Sequence, residues 1–428
     1  MRELRALIAR NRAGSGEAMP SVCSAHPDVI AASLLLAEEL DQPLLLEATS
    51  NQVNQFGGYT GMRPADFTAF SRGISTDLGI SPDRLLFGGD HLGPQAWRSE
   101  PAESAMAKAR DLVADYVKAG FSKIHLDCSE GCAGEPAQVS DLVSAARAAE
   151  LAEVCEAAAS DPETLSYDYG TEVPPPGGAR AEEGGQGIAP TRPESALATI
   201  AAHYAAFAAR GLDAAWERAV GLVVQPGIEF APDHVHRFHL DAPDHLTPVL
   251  ADYPWLSFEA HSTDYQEPAV FAEIARRHFA VLKVGPALTY AYRQAIYALD
   301  ALSAWTVPDA ESQVPAVMEG LMVASPSSWS KHYDGDAERL RLLRHFSYAD
   351  RIRYYWTQPA ATAAVEYLLN SLGTTKPLPC LLEQFFAPAV LARAEALSAT
   401  VPDWRRALIY AQIQEALAPY YAASGRAS

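Results

Sequence analysis

Between residues 21 and 285 one pattern occurs eight times: a short, mostly apolar run that closes on a polar residue or glycine, then a longer stretch with helical punctuation. The runs cover residues 21–24, 43–47, 85–90, 123–127, 165–172, 221–225, 256–261 and 280–285. Segments this short, with few polar positions alternating along them, suit strands buried on both faces of a parallel sheet. The stretches between them read as helices. In the clearest, Pro101 suits the first turn, Met106, Ala109, Val113, Tyr116 and Val117 fall on one face, and Gly120 suits the stop. Residues 144–160, 194–211 and 265–278 follow the same logic.

Eight alternating strand and helix units are what a closed α/β barrel of the (β/α)8 TIM type requires, with right-handed crossovers. The rival, an open doubly wound sheet, would normally carry a Gly-rich phosphate turn near its first strand, and the sequence has none there. Residues 1–305 are therefore expected to form the barrel, with 289–305 as its eighth helix. Strong strand signals stop after residue 285, so 306–428 is expected to be a mainly helical extension packed on the barrel. The Pro- and Gly-rich stretch 171–193 follows the fifth strand and reads as a long loop over the barrel mouth.

Composition narrows the partners. Apolar residues make up 49% of the 428, enough for a large buried core. Asp and Glu outnumber Lys and Arg by 53 to 33, a net charge of −20, and no run of five basic residues occurs, so a nucleic-acid partner is not expected. The same field disfavours an anionic sugar phosphate at long range; such a ligand would need locally placed amides, Lys or Arg. Five cysteines with no CxxC pair fit a reducing compartment. With no leader-like stretch or 18-residue apolar run in view, a cytoplasmic protein without membrane attachment is expected. No GxxxxGK[ST], dinucleotide GxGxxG or HExxH is present, so no nucleotide cofactor is expected.

Glu47, Asp90, His91, Asp127, Glu172, Gln225, His261 and Lys283 all sit at or just beyond the C-terminal ends of the expected strands. In a barrel those ends converge on one mouth, where such groups share a pocket. Strand ends are also polar simply because they approach solvent, but a whole ring of acids, imidazoles and an amine points to chemistry. His91 and His261 are the candidate imidazole ligands of Zn²⁺ or another divalent metal, while Asp90, Asp127, Glu172 and Lys283 are candidates for proton handling. Lys283 reads either as a cation for an anion or hydroxyl, as a Schiff-base amine, or as the partner of Glu47 or Glu259 in a buried salt bridge. Glu47 opens EATSNQVNQFGG, where Asn51 and Gln52 suit a polyhydroxylated ligand or a tightly hydrogen-bonded loop. Gln225, Ser262 and Asp264 complete the candidate sugar-binding set, Ser262 also standing where it would cap the next helix. In YADRIRYYW, residues 348–356, Arg351 and Arg353 read as phosphate contacts or as a packing or subunit seam.

The stretches SVCSAHP, EATSNQVNQFGGYTGM, GGDHLGP, AGFSKIHLD, GTEVPPPGG, VVQPGIEF, EAHSTDYQ, LKVGPALT and DRIRYYW span nearly the whole chain. On them the protein resembles the GatZ/KbaZ subunits of class II tagatose-1,6-bisphosphate aldolase. The resemblance implies an aldolase-type TIM barrel, a sugar or sugar-phosphate ligand, and a role in tagatose, galactitol or N-acetylgalactosamine breakdown. It also implies an oligomer in which this subunit supports a smaller, zinc-bearing catalytic subunit. Some members are labelled tagatose-6-phosphate kinases, and related barrels are described as 4-epimerases acting alone. A more distant similarity to zinc-bearing class II aldolases matches Asp90 to their catalytic Asp, His91 and His261 to two zinc ligands, and Asp127 to a carboxylate after the fourth strand. Gln225 stands where their sixth-strand zinc histidine is expected, which leaves Glu172 as the candidate third ligand.

Overall fold

The computed structural model of the chain describes residues 1–171, 188–307 and 313–422. Eight parallel strands form the barrel: β1 (Met19–Val22), β2 (Leu44–Thr49), β3 (Leu85–Leu92), β4 (Lys123–Leu126), β5 (Ser166–Tyr169), β6 (Ala219–Val223), β7 (Ser257–Ala260) and β8 (Phe279–Val284). Each pairs with its neighbour in sequence, and β1 pairs with β8 to shut the ring, Ser21 lying opposite Lys283. That last pairing excludes the open sheet. The strands are buried almost throughout, as their unbroken apolar character requires.

The first turns of the helices are shaped by proline, which needs no donor partner there: Pro27–Glu39, Pro64–Asp77, Pro193–Ala209, Pro268–Arg276 and Pro286–Thr306 all start on it. One expected helix is missing. Between β6 and β7 the chain forms a two-stranded hairpin, Glu229–Phe230 with Val235–His236, and a 3-10 turn, Thr247–Leu250, instead of an α-helix. Pro232, Pro243 and Pro248 interrupt any helical ladder there.

The two barrel ends differ. At the N-terminal end the helix Arg2–Arg10 buries Leu4, Leu7 and Ile8, one face at helical spacing, against Met19, Leu45, Val220, Ala280 and Val281. That plug leaves the C-terminal ends of the strands as the open face. The helices after Thr306 share the barrel's hydrophobic core. The last, Trp404–Ala422, lies back across it: Gln414 Nε2 donates to the carbonyl of Ala32 at 2.8 Å, and the Tyr420 hydroxyl donates to the carbonyl of Thr263 at 3.0 Å. Among the described residues, no helix is long and apolar enough to cross a membrane.

Candidate active site

The floor of the site is a layer of buried charge. On β4, Lys123 and His125 are two residues apart and so face the same way, into the barrel. Lys123 Nζ lies 2.8 Å from Glu47 Oε1, 2.6 Å from Asp168 Oδ2 and 2.7 Å from Glu259 Oε2, all four side chains at 0 to 1% exposure. Above it, Lys283 Nζ meets Glu47 Oε2 at 2.8 Å, Glu259 Oε1 at 3.3 Å and the Asp90 carboxylate. Glu47 and Glu259 therefore each bridge both lysines. Charges this deep are stable only when paired. Burial together with Glu259 and Glu47 pushes Asp168 up to about 7 against the pull of Lys123. Two glycines make room for the acids: a Cβ at Gly88 would fall 2.6 Å from Glu47 Cγ, and one at Gly221 would fall 2.0 Å from Asp168 Oδ1.

The next tier depends on a bulge. Gly89 pairs with Ile124 and Leu92 with Leu126, so Asp90 and His91 together face His125 alone. His91 takes a left-handed backbone, φ 48°, uncommon for a non-glycine residue and enriched at functional sites. This turns the adjacent side chains of Asp90 and His91 into the same cavity, where a regular strand would send them to opposite faces. The rings of His91, His125 and His261 form a triangle with centroid separations of 5.0 to 5.1 Å.

The three imidazoles are not equivalent. His91 Nδ1 is 2.7 Å from Asp127 Oδ2, whose other oxygen accepts from the Ser129 hydroxyl at 2.6 Å and amide at 3.1 Å. Burial disfavours the His91 imidazolium, but Asp90 and Asp127 outweigh it and raise its pKa. Burial lowers His125, and burial with Lys283 pushes His261 down to about 3 although Glu259 Oε1 lies 2.9 Å from its Nε2. Burial would raise Asp90, yet His91 and Lys283 hold it well below the usual carboxylate range. Lys283 is a firm cation: burial works against the charge, but Asp90, Glu259 and Glu47 raise its pKa well above normal, which argues against a Schiff-base amine.

Asp90, His125 and His261 bring donor atoms within 4.8 Å of one another. His125 Nδ1 sits 3.1 Å from the His91 amide and 3.2 Å from Asp90 Oδ1, while its Nε2 is buried with no hydrogen-bond partner among the described residues. Two neutral imidazoles and an ionised carboxylate are the donors that Zn²⁺ or a similar divalent ion takes, so the residues fit a metal. The set differs from the expected His91, His261 and Glu172. His125 enters it, His91 is turned toward Asp127, and Glu172 lies outside the described residues.

These groups lie at a cavity in the barrel mouth. Asp90, His91, His261 and Lys283 line it, as do Asn51, Gln52, Ser262 and Asp264 of the expected sugar-binding set. The other expected residues stand elsewhere. Glu47 lies fully buried beneath the cavity, and Asp127 stands behind His91. Gln225 caps a turn, its Oε1 accepting the amides of Gly227 at 2.8 Å and Ile228 at 2.9 Å, and it does not line the cavity. Asp264 is braced on the start of the helix Pro286–Thr306, accepting the amides of Gly285 at 3.1 Å and Ala287 at 2.8 Å, and burial pushes it up to about 6 against those bonds. Lys123, His125, Asp168, Cys23, Tyr59 and Tyr354 were not singled out from sequence. For Lys123, His125 and Asp127 a signal exists, since alternate positions of KIHLD share one face; for Tyr354 none does.

A closed parallel barrel with ionisable groups gathered at the C-terminal ends of its strands defines the class of (β/α)8 proteins that keep their chemistry on that face. Within that class the chain belongs to the D-tagatose-1,6-bisphosphate aldolase subunit GatZ/KbaZ-like family, whose model matches residues 4–425. It is 47% identical, over 99% of its length and 98% of the relative's, to the D-tagatose 6-phosphate 4-epimerase of Agrobacterium fabrum (strain C58 / ATCC 33970). It is also similar to a crystal structure described as a "probable tagatose 6 phosphate kinase" from Sinorhizobium meliloti 1021, with 43% identity, coverage of 95% of this chain and 100% of that one, and a TM-score of 0.85.

Proposed function

We propose that the chain is a metal-assisted 4-epimerase of a 2-ketose 6-phosphate, with D-tagatose 6-phosphate as substrate. The observation that carries this is the cluster of Asp90, His125 and His261 beside Lys283, of which Asp90, His261 and Lys283 line one cavity. The identity to the Agrobacterium epimerase over nearly both full lengths supports the choice of reaction.

The chemistry follows from the substrate. The C4 hydrogen of a 2-ketose is too far from the carbonyl to be acidic, but the C4 hydroxyl is β to it. Loss of the hydroxyl proton lets the C3–C4 bond break, leaving an aldehyde at C4 and an electron pair delocalised over C2 and C3 as an enediolate. Rotation of the aldehyde and re-addition to its other face, with the proton returned to the new C4 oxygen, inverts C4 and leaves every atom in place. His91, which lines the cavity and whose ring is held by Asp127, takes and returns that proton. Lys283 sets a fixed positive charge where the oxyanion develops. A bound divalent ion would supply Lewis-acid polarisation of the carbonyl, held by Asp90, His125 and His261. Asn51 and Gln52 meet the sugar hydroxyls.

The family's description as an aldolase subunit favours a second reading, in which the chain stabilises a smaller zinc-bearing aldolase subunit. Incubating the purified, metal-loaded chain alone with D-tagatose 6-phosphate separates the two. Formation of the C4 epimer, D-fructose 6-phosphate, is expected. No turnover by the chain alone, with a gain in activity of an added small subunit, would replace the first reading by the second; ATP-dependent phosphorylation would replace both.

A further inference from the structure

The 3-10 turn Arg351–Tyr355 lies beyond the barrel strands, yet Arg353 and Tyr354 line the same cavity as Asp90 and Lys283. The Tyr354 hydroxyl accepts from Arg353 Nη2 at 2.9 Å and from Arg351 Nη1 at 3.0 Å, and both guanidinium carbons stand over its ring, at 4.5 and 5.0 Å. Tyr59 packs edge-on against Tyr354 at 4.7 Å from the β2 side of the mouth.

The counter-charges are what single out this turn. Lys283, on the strand side of the cavity, is already matched by three carboxylates, Glu47, Asp90 and Glu259. Neither Arg351 nor Arg353 pairs with a carboxylate among the described residues. Asp350, directly before the turn, serves Arg293 at 3.3 Å and Thr289 at 2.6 Å, and Arg353 turns Nη1 to the carbonyls of Ala349 and Asp350. Two adjacent guanidiniums, one buried and one half-buried, have the His332 ring, the Tyr354 hydroxyl and main-chain carbonyls as partners but no carboxylate to balance their charge, and the fork geometry of guanidinium matches phosphate oxygens. The phenol reports the same positive potential: burial would raise it, but Arg351 and Arg353 hold Tyr354 below the ordinary tyrosine range.

We propose that Arg353 and Arg351, with Tyr354 between them, form the receptor for the substrate's phosphoryl group, so that the helical part of the chain selects phosphorylated over free ketoses. The identity of the sugar rests on the epimerase reading above; the phosphate site does not.

The test uses the full-length chain in two assays. In calorimetry, inorganic phosphate and D-tagatose 6-phosphate are titrated into wild type, Arg353→Gln, Arg351→Gln and Arg353→Lys, with thermal melting confirming each fold. In turnover, kcat/KM for D-tagatose 6-phosphate is divided by that for D-tagatose. Arg353→Gln is expected to weaken both phosphate ligands and to cut the kcat/KM ratio roughly 10- to 100-fold, as loss of charge-assisted bonds predicts, with partial rescue in Arg353→Lys. Unchanged phosphate affinity in folded Arg353→Gln and Arg351→Gln overturns the proposal. So does an equal loss for phosphorylated and free sugar. If no ketose is turned over, the epimerase reading falls while the calorimetry still decides the phosphate site.

Discussion

Asp168 occupies space that exists only because residue 221 has no side chain: a Cβ at Gly221 would lie 2.0 Å from Asp168 Oδ1. Asp168 in turn holds Lys123 at 2.6 Å, so the glycine on β6 positions the charge layer under the site. Gly221→Ala is expected to displace the carboxylate and leave Lys123 short of one partner, destabilising the fold by about 3 kcal/mol. Urea denaturation measures it, with Gly73→Ala as a control in an open helical position expected to stabilise by up to about 1 kcal/mol. A Gly221→Ala midpoint equal to wild type would show that the layer tolerates the intrusion.

The three imidazoles are expected to separate by function. His125→Ala and His261→Ala should lower bound divalent metal, measured by elemental analysis after loading, from near one per chain to a small fraction. His91→Gln should keep most of the metal and lose turnover, because its ring is held by Asp127 rather than offered to the ion. Chelation of the wild type should lower its melting temperature, and re-addition of metal should restore it. Full metal in His125→Ala would remove His125 from the ligand set.

Lys283 is expected to act as a cation and not as a nucleophile. Borohydride added during turnover should give no mass adduct, whereas a Schiff-base lysine would be trapped. Lys283→Met should leave Asp90, Glu47 and Glu259 without their shared charge and reduce kcat by on the order of 10²-fold, the size typical of a lost oxyanion contact. A covalent sugar adduct at Lys283 would overturn this assignment.

Acid sensitivity is expected from a histidine outside the site. His203 is fully buried, its Nδ1 donates to the carbonyl of Thr199 at 2.8 Å, and burial pushes its pKa down to about 4. It stays neutral in the fold, while in the unfolded chain it takes a proton near its model value of 6.5. Between those values the unfolded state binds more protons, so stability falls as pH drops from 6.5 toward 4, by up to about 3 kcal/mol. His203→Gln, which does not titrate, should lose about 2 kcal/mol less than wild type between pH 7 and pH 5 in urea midpoints. Parallel losses in both proteins would assign the acid sensitivity to other groups.

The eight strands and the gathering of Glu47, Asp90, His261 and Lys283 near one end were legible in the chain as written, because a strand buried on both faces must be an apolar run and its last residue must face the mouth. Strand ends were off by up to three residues, as with β1 and β5, since nothing local marks where pairing stops. The helix expected between β6 and β7 failed at its prolines, a local signal that the strand-and-helix rhythm had masked.

Folding decided which of those polar residues work together. The bulge that puts Asp90 and His91 opposite His125 arises from pairing between β3 and β4, so neither strand alone announces that His125 joins His261 while His91 turns to Asp127. Gln225 was placed by strand position and then taken up by the amides of its own turn. Arg353 and Tyr354 reach the cavity from beyond the barrel, through packing against β2's loop. Periodicity is a property of neighbours along the chain and can be read there; register, bulges and the docking of distant helices are properties of pairs, and exist only once the ring has closed.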